Sequence, residues 1–167
     1  MTPTRPAAPA DAPAIAAIYA HHVRHGTATF DTEAPSPEFW TEKIATLAAR
    51  NWPFLVAEDA GEVVGYAYAT QFRDRPAYAR TCENSIYIRP GMIGRGIGTV
   101  LIAALLDAAA ASGFKEMIAV AGGGEPASVA LHTKAGFRHA GRMERVGEKF
   151  GRLLDTVYMQ RGLTDPA

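Results

Sequence analysis

Two stretches of the chain carry residues whose types and spacing could do chemistry. The first is Gly94-Arg95-Gly96-Ile97-Gly98, three glycines at alternate positions just before a helical pattern that opens at Thr99. Residues without Cβ take unusual φ values and let the backbone approach a ligand closely. The unpaired N–H groups of a helix N-terminus favour an anion, so a phosphate or pyrophosphate is the natural ligand. By itself the loop suits an ordinary tight connection equally well. Two nucleotide-binding patterns are excluded by the letters: Gly98-Thr99 lacks the lysine of a P-loop, and Gly96-Ile97-Gly98 has no third glycine at the dinucleotide offset. The second stretch is Phe72-Arg73-Asp74-Arg75-Pro76-Ala77-Tyr78, whose guanidinium forks suit carboxylate, phosphinate or sulfone oxygens. His21, His22 and His25 resemble a metal cluster at first sight, but no carboxylate or cysteine stands near them at ligand spacing, and a structural or solvent role is expected.

The elements that must position these residues follow from pattern. Ser85-Ile86-Tyr87-Ile88 is β-branched and aromatic, and Arg89-Pro90-Gly91 stops it. From Thr99, apolar residues at Leu101, Ile102, Leu105 and Leu106 mark a helix that Gly113 ends. Strand, glycine loop and helix thus form one unit over residues 83–111. Upstream, a short strand is expected near Thr4 to Ala7. Asp11 before Pro13 caps a helix that carries Ile15, Ile18, Tyr19 and His22 on one face. Ser36-Pro37-Glu38 opens a second helix with a stripe of Phe39, Ile44 and Leu47. A hairpin pairs residues 54–57 with 63–69 across Asp59-Ala60-Gly61. Downstream come a strand near 117–120, the flexible Gly122-Gly123-Gly124, a helix over 126–135, and extended segments at 138–143 and 154–160. This order predicts a single α+β domain over residues 1–167, built on one central twisted mixed β-sheet flanked by helices.

Composition narrows the partners. At 167 residues and 48% hydrophobic content the chain can bury one core and is short for two domains. Seventeen basic and seventeen acidic residues cancel, so bulk charge favours neither nucleic acid nor an anionic membrane. A small-molecule partner is expected. Cys82 stands alone, no apolar signal-peptide core opens the chain, and the weakly polar run over 99–111 is too short to span a bilayer; a cytoplasmic location is expected.

The glycine loop resembles the acyl-CoA loop of the GNAT acetyltransferase superfamily, whose pattern is Gln/Arg, two residues, Gly, any residue, Gly/Ala. Gly96-Ile97-Gly98 matches, and Ile93 stands at the Gln/Arg position. The likeness covers nearly the whole chain. It is carried by Thr81-Cys82-Glu83-Asn84-Ser85-Ile86-Tyr87-Ile88, by the loop, by Ala127-Ser128-Val129-Ala130-Leu131-His132 with Gly136-Phe137, and by Val146-Gly147-Glu148-Lys149-Phe150-Gly151-Arg152 with Asp155 and Gln160. These blocks resemble the branch of phosphinothricin and methionine sulfone/sulfoximine N-acetyltransferases. The departures are Leu153 for Trp, Cys82 for Val, Ala79 for Arg, and Glu125 for a cofactor-contacting Asn.

The resemblance implies acetyl transfer from acetyl-CoA, without a metal, to the amine of a small amino-acid-like acceptor. An amine attacks only when neutral, and most α-amines are protonated at pH 7. Glu83 is therefore the expected base and His132 the expected acid for the departing thiolate. Backbone groups of Ile86, Tyr87 and Ile88 are expected to hold the pantetheine arm and polarise the thioester carbonyl. Gly94, Arg95, Gly96, Ile97, Gly98 and Thr99 are expected at the pyrophosphate, with Glu125 and Ser128 beside the cofactor. Acceptor choice falls to Phe30, Arg73, Arg75, Tyr78 and Glu83. Relatives of this kind are commonly dimers, so a homodimer is expected. Two other functions stay open at this point: a peptide or protein N-terminal acetyltransferase, and a non-catalytic acyl-CoA-binding module.

Overall fold

A computed structural model describes residues 2–163. The order of elements is β1 (Thr4–Pro6), α1 (Ala12–His25), α2 (Pro37–Ala49), β2 (Phe54–Asp59), β3 (Glu62–Gln71), β4 (Thr81–Ile88), α3 (Ile97–Ala111), β5 (Glu116–Gly122), α4 (Pro126–Lys134), β6 (Arg138–Lys149) and β7 (Arg152–Gly162). The strands form one sheet in the order β1-β2-β3-β4-β5-β7-β6. The α+β domain with a mixed sheet is present; of its expected span 1–167, residues 1 and 164–167 lie outside the described residues.

Each face of the sheet buries a separate apolar cluster. Against α1 and α2 lie Ile15, Tyr19, Trp40, Ile44, Tyr66 and Tyr68; against α3 lie Leu101, Leu105, Cys82, Met117 and Ala119. The α2 stripe is Trp40, Ile44 and Leu47, not Phe39, which is 44% exposed. Positions 40, 44 and 47 recur at i, i+4 and i+7, whereas 39 sits about 100° away around the helix. Ser36 caps α2 as expected, its Oγ accepting from the Phe39 N–H at 3.3 Å. Asp11 does not cap α1. Its carboxylate accepts from Arg5 at 2.8 and 2.9 Å and from the Ala8 N–H at 2.7 Å, which ties β1 to the start of the helix. The last two strands are longer than the sequence suggested, because Phe150 and Gly151, with φ of 54° and 70°, close a two-residue turn between the paired Lys149 and Arg152.

One feature of the sheet creates the site. All neighbours are antiparallel except β4 and β5, and α3 supplies the crossover that a parallel pair requires. That pair is short: Thr81↔Glu116, Cys82↔Met117, Glu83↔Ile118. Beyond it β4 stays on β3 as far as Ile88↔Gly65, while β5 stays on β7 as far as Gly122↔Thr156. The two central strands diverge after Glu83 and leave a wedge in the middle of the sheet.

Candidate active site

The wedge exposes backbone that a continuous sheet would consume. Hydrogen bonds from the Arg89 N–H to Val64 O and from the Phe72 N–H to Thr81 O fix the alternation between β3 and β4. Odd-numbered residues of β4 therefore bond to β3, and even-numbered ones point to the other edge. Ile86 and Ile88 turn their backbone groups into the wedge, where β5 no longer meets them. The Ile88 carbonyl accepts from His22 Nε2 at 2.8 Å. The N–H and C=O of Tyr87 belong to its pairing with Tyr66, its ring packs edge-on against Tyr19 at 5.1 Å, and the residue still borders the wedge cavity. Of the three expected backbone partners, two face the gap.

Glu83 stands at the fork itself. It borders a cavity of 160 Å³ in the wedge, with Ser85, Ile86, Val120, Ser128 and His132. Burial pushes its carboxyl above the usual carboxylate range, and the charge of Arg73 acts in the opposite sense. Glu83's register partner Ile118 lines a second cavity, of 400 Å³, with Phe72, Arg73, Gly141, Arg142 and Tyr158. The loop that brings Arg73 here is braced by Gln71, whose side-chain amide donates to Arg73 O at 2.6 Å and Arg75 O at 3.1 Å. The Arg73 guanidinium stacks 4.3 Å from the Phe72 ring, and Tyr78 meets the same ring edge-on at 5.8 Å. Neither Arg73 nor Arg75 forms an ion pair among the described residues.

His132 is only 3% exposed, and both of its nitrogens are engaged. Nδ1 donates to Ser128 O at 2.7 Å, and Nε2 lies 3.2 Å from Asn84 Oδ1. Burial holds the imidazole below its ordinary pKa, against a smaller opposing effect of the Ser128 carbonyl. Donating to both oxygens would need the imidazolium; the neutral ring that burial favours has one N–H, already given to Ser128. With the Asn84 amide turned so that its NH₂ faces Nε2, the neutral ring is satisfied. Both nitrogens of the expected acid are thus engaged within the protein, while the residue borders the wedge cavity.

The glycine loop keeps its promise as open backbone. Gly94 and Gly96 have φ of 84° and 81°, a region closed to most side chains, and nothing lies within 4 Å of where a Cβ would stand. Helix α3 begins at Ile97, two residues before the expected start at Thr99. Val100 N–H reaches Gly96 O at 3.2 Å, which leaves the N–H groups before it at the helix N-terminus. Gly98 sits against Leu131 of α4, so the loop and α4 border the same side of the wedge. Glu125 is spoken for: its carboxylate accepts from the Ala127 N–H at 3.3 Å and caps α4. Phe30 is not in the loop with the arginines but lies over Gly147 of β6.

Several residues at this site carried no signal of their own in the sequence. Asn84 sits inside a quoted block, but only its contact with His132 gives it a task. Arg142 and Tyr158 arrive through the β6–β7 hairpin, far from Glu83 along the chain. Among the described residues no group of three or more His, Cys, Asp or Glu is placed to hold a metal, and no helix is long and apolar enough to cross a membrane. Another cavity, of 510 Å³, lies elsewhere, between α1 and the β2–β3 hairpin; its Arg5 and Arg89 are already paired with Asp11, Glu58 and Glu62.

Known proteins resemble this chain in sequence and fold. The chain is 46% identical over 154 residues to the phosphinothricin N-acetyltransferase of Alcaligenes faecalis, covering 92% of this chain and 78% of that one. It is 40% identical over 166 residues to the L-methionine sulfoximine/L-methionine sulfone acetyltransferase of Pseudomonas aeruginosa, covering 97% and 94%. The crystal structure of a phosphinothricin acetyltransferase from Sinorhizobium meliloti in complex with acetyl-CoA superposes with a TM-score of 0.95 at 42% identity, over 99% of this chain and 93% of that one. The family description "Acetyltransferase (GNAT) family" matches residues 16–137, the span that holds Glu83, the wedge, the glycine loop and His132, and the chain belongs to that family.

Proposed function

We propose that the protein moves an acetyl group from acetyl-CoA to the amine of a small amino-acid analogue bearing an oxyanion, of the phosphinothricin, methionine sulfone or methionine sulfoximine type. The observation that carries this reading is the place of Glu83: a carboxyl with a raised pKa where β4 leaves β5, bordering the wedge cavity and paired with Ile118 of the cavity that holds Arg73. The relatives named above, which act on such amines, support it.

The residues fit acetyl-CoA. The backbone of Ile86 and the N–H of Ile88, whose carbonyl is held by His22, suit an extended amide-bearing arm, and the uncrowded N–H groups of residues 94–99 suit a pyrophosphate. When bound, acetyl-CoA supplies a thioester-activated acetyl group. Glu83 accepts a proton from the acceptor's ammonium, directly or through a water, and its raised pKa brings its basicity closer to that of the amine. Backbone N–H groups in the wedge stabilise negative charge growing on the carbonyl oxygen. Arg73, with Arg75 and Tyr78 on the same loop, takes the acceptor's oxyanion. An ordinary thiol has a pKa of about 8.5, so the departing sulfur can take its proton from solvent at neutral pH. His132 then serves to hold Asn84 and Ser128 in place.

The assembly is read as a homodimer in the cytoplasm. Met143, Val146, Phe150 and Leu153 are large apolar side chains exposed along the β6–β7 hairpin at the sheet edge, a surface that a second copy would cover. Acetyl-CoA-dependent thiol release, measured against a panel of free amino-acid analogues and peptides, tests the function. Fastest turnover is expected on oxyanion-bearing amino acids. Preference for peptide N-termini, or acetyl-CoA binding without turnover of any amine, would replace this reading with one of its two rivals.

A further inference from the structure

The block from Val146 to Arg152 has no part in the chemistry above, yet it holds a buried cation. Lys149 is 4% exposed, and an ammonium withdrawn from water is costly unless something answers it. What answers it is the loop between α1 and α2. Lys149 Nζ donates to Thr29 O at 2.9 Å, and Asp31 supplies the opposite charge, while burial lowers the lysine's pKa.

That loop is closed by a second ring of bonds. Tyr19 OH donates to Asp31 Oδ2 at 2.5 Å, Asp31 N–H donates to Thr29 Oγ1 at 3.1 Å, and the Thr29 hydroxyl, 2.7 Å from the Tyr19 phenolic oxygen, donates back to it. The strands beneath are shaped to receive it. A Cβ at Gly122 would stand 2.8 Å from Ala28 O, and one at Gly147 would run into the Phe30 ring. Ala28 in turn lines the wedge cavity beside Glu83. The two-residue turn at Phe150-Gly151 fixes Lys149 as the last paired residue of β6, opposite Arg152.

We propose that Lys149 is a positioning residue for the acceptor, fastening residues 27–31 to the β6–β7 hairpin so that Ala28 and Phe30 form a fixed wall of the cleft beside Glu83. The proposal rests on the reading of that cleft as the acceptor site. Lys149→Met keeps most of the stem and removes the charge. It should raise the acceptor's Michaelis constant about tenfold or more and leave that of acetyl-CoA within about twofold. Lys149→Arg, able to donate to Thr29 O, should recover part of the loss. Amide hydrogen exchange over residues 27–31 should quicken in Lys149→Met without a matching change in β4. Asp31→Asn, which keeps the loop's shape and loses the counter-charge, should move both readouts the same way by less, and it decides the matter if Lys149→Met does not fold. Both Michaelis constants rising together would make the lysine merely structural and overturn the proposal. So would wild-type exchange in the variants. A wild type inactive on every amine, with fast exchange at 27–31 in the variants, would instead remove the acceptor assignment and leave the clamp standing.

Discussion

Replacing Glu83 by Gln separates a catalytic base from a structural carboxylate, because the two readings move activity and stability in opposite directions. A peptide's α-amine, of pKa about 7.7–8.0, is roughly one-tenth neutral at pH 7, and a free amino acid's, beside a carboxylate, is less so. Losing only the pre-equilibrium deprotonation therefore costs at least about tenfold, or about 1.4 kcal/mol. Losing proton transfer within the transition state takes the total to roughly 10² to 10⁴, about 2.7 to 5.4 kcal/mol of barrier. Acetyl-CoA affinity should hardly change, since the backbone of Ile86 and Ile88 and the glycine loop are untouched. Stability should move the other way. Burial raises the folded-state pKa of Glu83, so the folded chain holds that proton more tightly than the unfolded one. Its ionised form therefore weakens the fold as pH rises through the folded pKa, and not below the unfolded value. Gln removes that effect. The variant's Tm should match wild type near pH 4 and equal or exceed it at pH 8. Thiol-release rates from pH 6 to 9, with calorimetry at both ends, read both quantities. Turnover near wild type together with a lower Tm at pH 8 would refute the base and leave a structural carboxylate.

Gly96→Asp puts a side chain on a residue with φ of 81° and a negative charge at the helix N-terminus, so the acetyl-CoA Michaelis constant should rise at least tenfold with the acceptor's unchanged, by steady-state kinetics. Arg73→Ala should raise the Michaelis constant of an oxyanion-bearing acceptor by roughly 10- to 150-fold, the worth of about 1.5–3 kcal/mol for a charge-assisted pair. Because Arg73 also holds the Glu83 pKa down, the acid limb of kcat/KM should shift to higher pH in the same variant. His132→Ala should lower Tm by several degrees through the lost bonds to Ser128 and Asn84 while kcat falls less than about tenfold; a loss of 10² or more, with a flattened alkaline limb, would restore the ring as the acid.

What could be read from the letters was whatever is local in the chain. The strand, loop and helix over residues 83–111 announce themselves through a β-branched run, a proline stop, three glycines and a helical repeat, and the structure keeps all four. Misreadings arose where two residues compete for one direction. Phe39 and Trp40 both fit an apolar stripe, and only the spacing to Ile44 and Leu47 decides between them. Asp11 has the right residue type for a cap, but Arg5, folded back from β1, is the stronger partner for its carboxylate. The parity of β4 was likewise out of reach, since which of Ile86, Tyr87 and Ile88 faces the wedge depends on the register with β3.

The site shows the same division more sharply. Glu83 and the glycine loop belong to one continuous segment, and the chemistry proposed for them is legible there. The proposed acceptor side takes Arg73 from the loop just before Glu83, but the rest of it is assembled from β6, β7 and the loop after α1, residues separated from Glu83 by more than fifty positions on either side. Their contribution depends on a hairpin and on a buried lysine that no local pattern marks. On the proposed reading the wedge would place the thioester by backbone geometry, which tolerates side-chain departures such as Ile93. Acceptor choice depends on side chains carried by separate elements, and those elements must be held against one another for the choice to be sharp. The proposed clamp at Thr29, Asp31 and Lys149 would meet that need, because it ties the loop after α1 to the β6–β7 hairpin through the bond from Lys149 Nζ to Thr29 O.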